Sequence, residues 1–319
     1  MQISNDKNLY QIFSLMEINK KRIMKVAHNP GLIVTHALMR IGGNIPDKTY
    51  LKLMYFFWKG KRLNLDRPVT FNEKLQWLKL YYRRPELTVM VDKVKAKGYV
   101  ASKIGAEHVI PTLGVWDSPD DIDFEKLPQQ FVLKTNHNSG CNVICTNKST
   151  LDIEAAKAKL RKGLRETFYK RAREWAYKDV PRKILAERYM VDESGTELKD
   201  YKFFCFGGEP RVIQVDFNRY TNHRRNLYDT EWRLLDFEID YPSDKNHIIA
   251  KPQPLEEMLE AARCLSEGLP HVRVDLYCIG DKIYFGEMTF YHGGGYEVFT
   301  PEEWNRRMGE MITLPDMND

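Results

Sequence analysis

Two segments, FVLKTNHNSGCNVIC at 131–145 and VRVDLYCIGDKIYFGEMTF at 272–290, constrain this chain more than any others. The first ends an apolar run on Lys134 and passes directly into a loop of small and amide residues. The second carries Asp275 and Glu287 on two runs joined by Gly280-Asp281. A lysine ammonium beside a turn of backbone N–H groups suits a polyphosphate, and two carboxylates on neighbouring strands suit Mg²⁺. Together they describe a nucleoside triphosphate site.

The rest of the chain reads as α+β. Apolar positions recur at three- and four-residue spacing in YLKLMYFFWKG and TFNEKLQWLKLYY, which predicts a mostly helical stretch over residues 1–90. Thr70 followed by Glu73 fits a capping box and starts a helix near Phe71. VDKVKAKGYVASKIG predicts a further helix, EHVIPTLGVW a strand and loop, and FVLKT with NVICTNK a hairpin over a phosphate. A long helix is expected over 151–178, a buried strand over KILAERYM, and three strands over DYKFFCF, EPRVIQVDF and EWRLLDFEI. Gly207-Gly208 is a turn, a helix follows at 254–267, and a hairpin closes the series.

Composition narrows the class. A chain of 319 residues with 43% hydrophobic and 29% charged residues is an ordinary globular protein, long enough for two to three subdomains. No apolar run is long enough to span a bilayer, and the N-terminus lacks a secretory pattern, so the expected location is cytoplasmic. Cys141, Cys145, Cys205, Cys264 and Cys278 are scattered without zinc spacing, as reduced thiols are. Lys and Arg concentrate toward the N-terminus, where Leu51, Met54, Tyr55, Phe57 and Trp58 are flanked by Lys52, Lys59, Lys61 and Arg62. Core packing is the expected role of that cluster; the other reading is peripheral contact with the inner face of a membrane. No nucleic-acid motif is found, so no such partner is expected.

In order and in residues, these elements resemble the ATP-grasp superfamily, most closely its TupA-like branch of teichuronopeptide and capsular polysaccharide biosynthesis. TFNEKLQWLKL, VDKVKAKGYV, GAEHVIPTLGVW, LPQQFVLKTNHNSG, ILAERYM, DYKFFCFGG, RRNLYDTEW, VRVDLY and IYFGEMTFYHGGG carry the resemblance. It implies two α+β subdomains, 91–186 and 187–319, clamping ATP after the basic helical region 1–90. Lys134 would contact the phosphates under a flap of Asn136, Asn138, Ser139 and Gly140, with Lys93, or alternatively Lys97, as the second lysine. Glu187, Arg188, Tyr189 and Met190 would form the hinge edge that meets adenine, and Asp200 and Lys202 would reach ribose or phosphate. Asp275 and Glu287 would hold Mg²⁺ with Arg273 on the same strand face, and Thr289 stands where many members carry Asn.

On the acceptor side, Arg219, His223, Arg224, Arg225 and Tyr228 suit anionic or hydroxyl-rich sugars. YHGGGYE offers backbone N–H groups at Gly293 and Gly294, with His292 expected to assist with protons. The resemblance implies an ATP-dependent ligase that activates a carboxylate as an acyl phosphate. The expected acceptor is the uronic acid of a cell-surface glycan or its precursor, joined to an amino-acid amine; the reverse assignment, an activated amino acid joined to an amino sugar, uses the same ATP chemistry. A second reading is a glycosyltransferase whose DxD element is Asp121-Ile122-Asp123, and a third is a non-catalytic module of capsule assembly.

Overall fold

The computed structural model describes residues 31–192, 198–219 and 221–316; residues 1–30 of the expected helical region lie outside these. The chain divides into two units, one of residues up to Leu63 with Lys170–Ala172, the other of the remainder. The division falls between Leu63 and Asn64, and helices continue beyond it through Phe71–Tyr81 and Pro85–Val91, as the expected helical region over 1–90 has it.

In the smaller unit, helices Gly31–Ile41 and Asp47–Lys59 are joined by a short 3-10 turn. Leu51, Met54 and Tyr55 recur at helical spacing and are buried, so this cluster packs inward as expected. Tyr50 donates from its hydroxyl to the Arg171 carbonyl at 2.7 Å, which ties in the segment 170–172.

The larger unit contains two main sheets. The first is built from β1 (Thr112–Trp116), β2 (Phe131–Thr135), β3 (Asn142–Cys145) and β4 (Ile184–Arg188), in the order β1-β4-β2-β3 and antiparallel throughout. Alternation sends Phe131, Leu133, Val143, Cys145, Ile184 and Ala186 into a core with Ala156 and Leu160 of helix Ile153–Arg165. Gly163 lets that helix approach, because a Cβ there would run into Cys141. The opposite face carries Val132, Lys134, Asn142, Ile144, Leu185 and Glu187. β4 pairs within this sheet along its whole length, past residue 186 to Arg188.

The second sheet contains β5 (Asp200–Phe206), β6 (Glu209–Phe217) and β7 (Arg224–Tyr228). A short β8 (Glu238–Ile239) lies outside it, and β9 (His271–Ile279) and β10 (Lys282–Thr289) complete the order β10-β9-β5-β6-β7. β11 (Phe299–Thr300) pairs with β8. Phe203, Cys205, Val272, Val274 and Leu276 are buried on the side where helix Leu255–Ser266 packs.

Two expectations are revised. The long helix over 151–178 is broken: it ends at Arg165, and a short helix Phe168–Ala172 and a 3-10 turn Trp175–Tyr177 follow, with Arg173 in the left-handed region between them. The strand over EWRLLDFEI shrinks to Glu238–Ile239, because the Asp229 carboxylate accepts from the amides of Glu231 and Arg233 and folds the chain into a turn. Helix Phe71–Tyr81, capped by Thr70 and Glu73 as expected, belongs to the larger unit. Its residues Asn72, Gln76 and Lys79 face the loop after β10: Asn72 donates to Glu297 O (2.9 Å), Gln76 to Gly294 O (2.9 Å) and Lys79 to Gly294 O (2.7 Å). Gly295 has a φ of 69°, and a Cβ there would lie 2.6 Å from Gln76 Nε2 and 3.1 Å from Leu75 Cβ, so glycine is favoured where the helix clasps the loop.

Candidate active site

Strand alternation on the second sheet sends Lys202, Gln214, Asp216, Arg273, Asp275, Glu287 and Thr289 to the face away from its helix. Lys202 stands opposite Asp275, Asp275 opposite Glu287, and Arg273 opposite Thr289. Arg273 makes a forked pair with Asp275 (Nε–Oδ1 2.7 Å, Nη2–Oδ2 2.8 Å) and reaches Glu287 at 3.5 Å. Lys202 donates to Asp275 Oδ2 at 2.8 Å and also to Asp200. Burial pushes the Asp275 carboxyl up, against the pull of Arg273 and Lys202. Glu287 goes the other way: burial is outweighed by Lys93, Arg273 and Lys202, which hold it at about 2.

The polar face of the first sheet supplies the other half. Lys134 Nζ is 2.7 Å from Glu187 Oε2, and Lys97 Nζ is 2.6 Å from Oε1 of the same carboxylate. Burial would raise the Glu187 pKa, yet the two ammonium groups hold it below the usual range. Lys93 lies nearer the carboxylate pair, 3.4 Å from Glu287 Oε2, and donates to the Asn138 carbonyl at 3.0 Å. Both candidate second lysines therefore reach the site, at different ends.

Two cavities flank these groups. One of about 420 Å³ has apolar walls from Val132, Ile144 and Met190, with Lys134, Glu187 and Asp200 at its polar edge; Arg188, Tyr189 and Arg219 also line it. The other, of about 330 Å³, is lined by Lys93, Ser139, Arg273, Glu287, Thr289 and the Gly293-Gly294 loop.

Several expected site residues are engaged elsewhere. Asn136 is fully buried; its amide donates to Asp92 (2.8 Å) and Pro181 O (2.7 Å) and accepts from the Lys183 amide (2.7 Å). Asn138 accepts from Thr135 and donates to Gly163 O at 3.0 Å. The flap residues that remain outside such bonding are Ser139 and Gly140, both exposed. Asn136→Ala is accordingly expected to lower stability by about 2–4 kcal/mol with no selective loss of nucleotide affinity, as thermal unfolding with and without MgATP will show. His292 is enclosed by Phe71 and Phe204, its Nδ1 2.8 Å from Glu297 Oε2 but out of hydrogen-bond alignment. Burial pushes its pKa well down, and the residue borders the cavity of about 330 Å³ beside Gly293 and Gly294.

The expected acceptor residues also divide. Arg225 is buried, bonded to Asp216 (2.7 Å) and Ile239 O (3.0 Å), with its guanidinium over Tyr241. His223 stacks near the same tyrosine, 3.2 Å from Asp216. Arg224 and Tyr228 alternate to the opposite sheet face, where Tyr228 stacks on Trp232. Arg219, paired with Asp200 and Asp216, lines the cavity of about 420 Å³. Asp216 was missed, although the alternation in VIQVDF puts it on the face of Lys202 and Gln214. Burial opposes its ionisation, but Arg225 and Arg219 hold its pKa far below the unfolded value. That contribution is present above the usual carboxylate pKa and is lost as pH falls through the folded one. Asp216→Asn should therefore flatten the acid limb of stability against pH, measured by denaturant unfolding from about pH 7 down to about pH 3. Asp121 and Asp123 cap two 3-10 turns, Asp121 through the Ser118 amide and Asp123 through the Glu125 amide, which removes the basis of the DxD reading.

A lysine-bearing sheet face and a carboxylate-bearing sheet face, each backed by its own helix, define the ATP-grasp class. The family model described as TupA-like ATPgrasp matches residues 73–313, and the chain belongs to that family. ATP-grasp members are ligases. Among solved structures, the chain is similar to D-alanine–D-alanine ligase from Bacillus anthracis at 17% identity, covering 64% of this chain and 58% of that one, with a TM-score of 0.36. The same enzyme from Helicobacter pylori is similar at 15% identity over 76% and 69% of the two chains, TM-score 0.38. N5-carboxyaminoimidazole ribonucleotide synthetase from Thermus thermophilus shares 13% identity over 69% and 52%, TM-score 0.38. Comparison with curated proteins gives no match.

Proposed function

We propose that this chain is an ATP-dependent carboxylate–amine ligase, acting through an acyl phosphate on the uronic acid of a cell-surface glycan or its precursor and on an amino-acid amine. The observation that carries the ligase reading is the pair of cavities, one of about 420 Å³ lined by Lys134, Glu187 and Asp200 and one of about 330 Å³ lined by Lys93, Arg273 and Glu287. The uronic-acid substrate rests on the family's resemblance to glycan-synthesis proteins.

In this reading the apolar walls around Val132, Ile144 and Met190 take the base. Tyr189 and Met190 follow the last paired residue of β4 and offer the backbone edge for adenine. Lys134 and Lys97 turn from Glu187 toward the phosphates, while Arg219 and Asp200 border the ribose side. Asp275 and Glu287 fit a magnesium ion held by two carboxylates, with substrate phosphate and water completing the shell. Among the described residues no third His, Cys, Asp or Glu joins them, as is usual for an ion shared with a nucleotide. When bound, magnesium offsets charge on the transferred phosphoryl group. Arg273 and Lys93 are placed to do the same from the protein side. The Gly293-Gly294 backbone borders the second cavity, where the activated carbonyl is attacked.

Purified protein offered MgATP, uronic acids and a panel of amino acids tests the reading. ADP release with a product mass equal to the amide supports it; AMP with pyrophosphate points to adenylation instead, and consumption of a UDP-sugar without ATP to glycosyl transfer.

A further inference from the structure

The 330 Å³ cavity contains a carboxylate that none of these roles uses. Glu174 is 4% exposed and lines this cavity, and no hydrogen-bond partner of its side chain is found among the described residues. A buried carboxylate in that condition is costly unless a cation meets it. Lys79, whose charge acts on Glu174, already donates to Gly294 O at 2.7 Å and faces the rings of Tyr291 and Tyr296. Arg273, Lys93 and Glu287 line the cavity as well, and Tyr177 and Tyr291 add rings to its wall. A Cβ built on Gly294 would lie 3.8 Å from Glu174 Oε1, so the carboxylate borders the glycine loop itself.

We propose that Glu174 receives the ammonium group of the amine substrate and takes its proton, an assignment that rests on the ligase reading above. An aliphatic amine reaches the cavity protonated and has no lone pair until that proton leaves. Transfer of the proton to Glu174 frees the lone pair, which forms a C–N bond at the carbonyl carbon of the acyl phosphate. The carbonyl C–O bond to phosphate then breaks, phosphate leaves with the electron pair, and the nitrogen gives its second proton to that phosphate. Glu174 returns its proton to solvent when the amide departs. Burial pushes the Glu174 carboxyl up and the Lys79 ammonium restrains the rise, which suits a group that must accept a proton near neutral pH.

Hydroxylamine separates the two halves of the reaction, because it is uncharged at neutral pH and attacks acyl phosphates without a base. With MgATP and glucuronate, Glu174→Gln and Glu174→Asp are expected to form hydroxamate at rates within about twofold of wild type. With an amino acid that wild type accepts, kcat/KM for the amine should fall roughly 10²-fold in Glu174→Gln. The fall in Glu174→Asp should be smaller, with a shifted pH profile. Equal loss of hydroxamate and amide, or full retention of amide, would overturn the assignment. Absence of hydroxamate from wild type would overturn the ligase reading on this substrate class and the Glu174 assignment with it.

Discussion

Glu287→Gln is expected to reduce turnover by about 10²–10³-fold or more while leaving the fold intact. The amide keeps the size of the carboxylate but not the charge that Lys93 and Arg273 meet and that would hold a magnesium ion. Because the Glu287 side chain is 34% exposed, water offsets part of what the cations lose, and thermal stability should fall modestly. Asp275→Asn differs in degree. Its side chain is 4% exposed between Arg273 and Lys202, so the neutral amide strands two buried cations and lowers stability as well as rate. ADP release at saturating Mg²⁺, beside circular dichroism of each variant, distinguishes the two. A near wild-type rate from Glu287→Gln would remove that residue from the metal site.

Lys134→Ala should weaken MgATP binding by about 1.5–3 kcal/mol, the worth of a charge-assisted contact, or roughly 10- to 100-fold in Kd. Lys97→Ala should cost less, since Lys97 also anchors the Ile110 carbonyl at 2.6 Å and is less available to turn toward phosphate. In both variants Glu187 keeps one ammonium partner, so the sheet face is not left with an unpaired buried carboxylate. Calorimetric titration of the three proteins with MgATP measures the order. Equal affinity of wild type and Lys134→Ala would place the phosphates elsewhere.

Wherever a short period governed the chain, its structure was readable from residues alone. β2, β5, β6, β9 and β10 fall within the runs that alternation marks, and Lys134, Arg273, Asp275 and Glu287 emerge on the faces that parity assigns them. The Thr70–Glu73 cap was equally local, because both partners lie within one helical turn. Asn136 and Arg225 were misread for the opposite reason. Their types suit phosphate or anionic sugar, but Asp92, Pro181, Lys183 and Asp216 had already engaged them, and sequence distance gives no sign of that.

The sequence by itself determined the class of chemistry: strand period sets which side chains share a face, and a lysine, two carboxylates and an arginine on such faces describe phosphoryl transfer. Only the tertiary structure decided which polar groups remain available. A hydrogen bond or ion pair consumes a group regardless of chain separation, as when helix Phe71–Tyr81 clasps the Gly294-Gly295 loop through Gln76 and Lys79. The position of Glu174 beside that loop follows from the same long-range packing. Nothing in its neighbours, within what reads as a surface helix, marks it as a residue of the cavity.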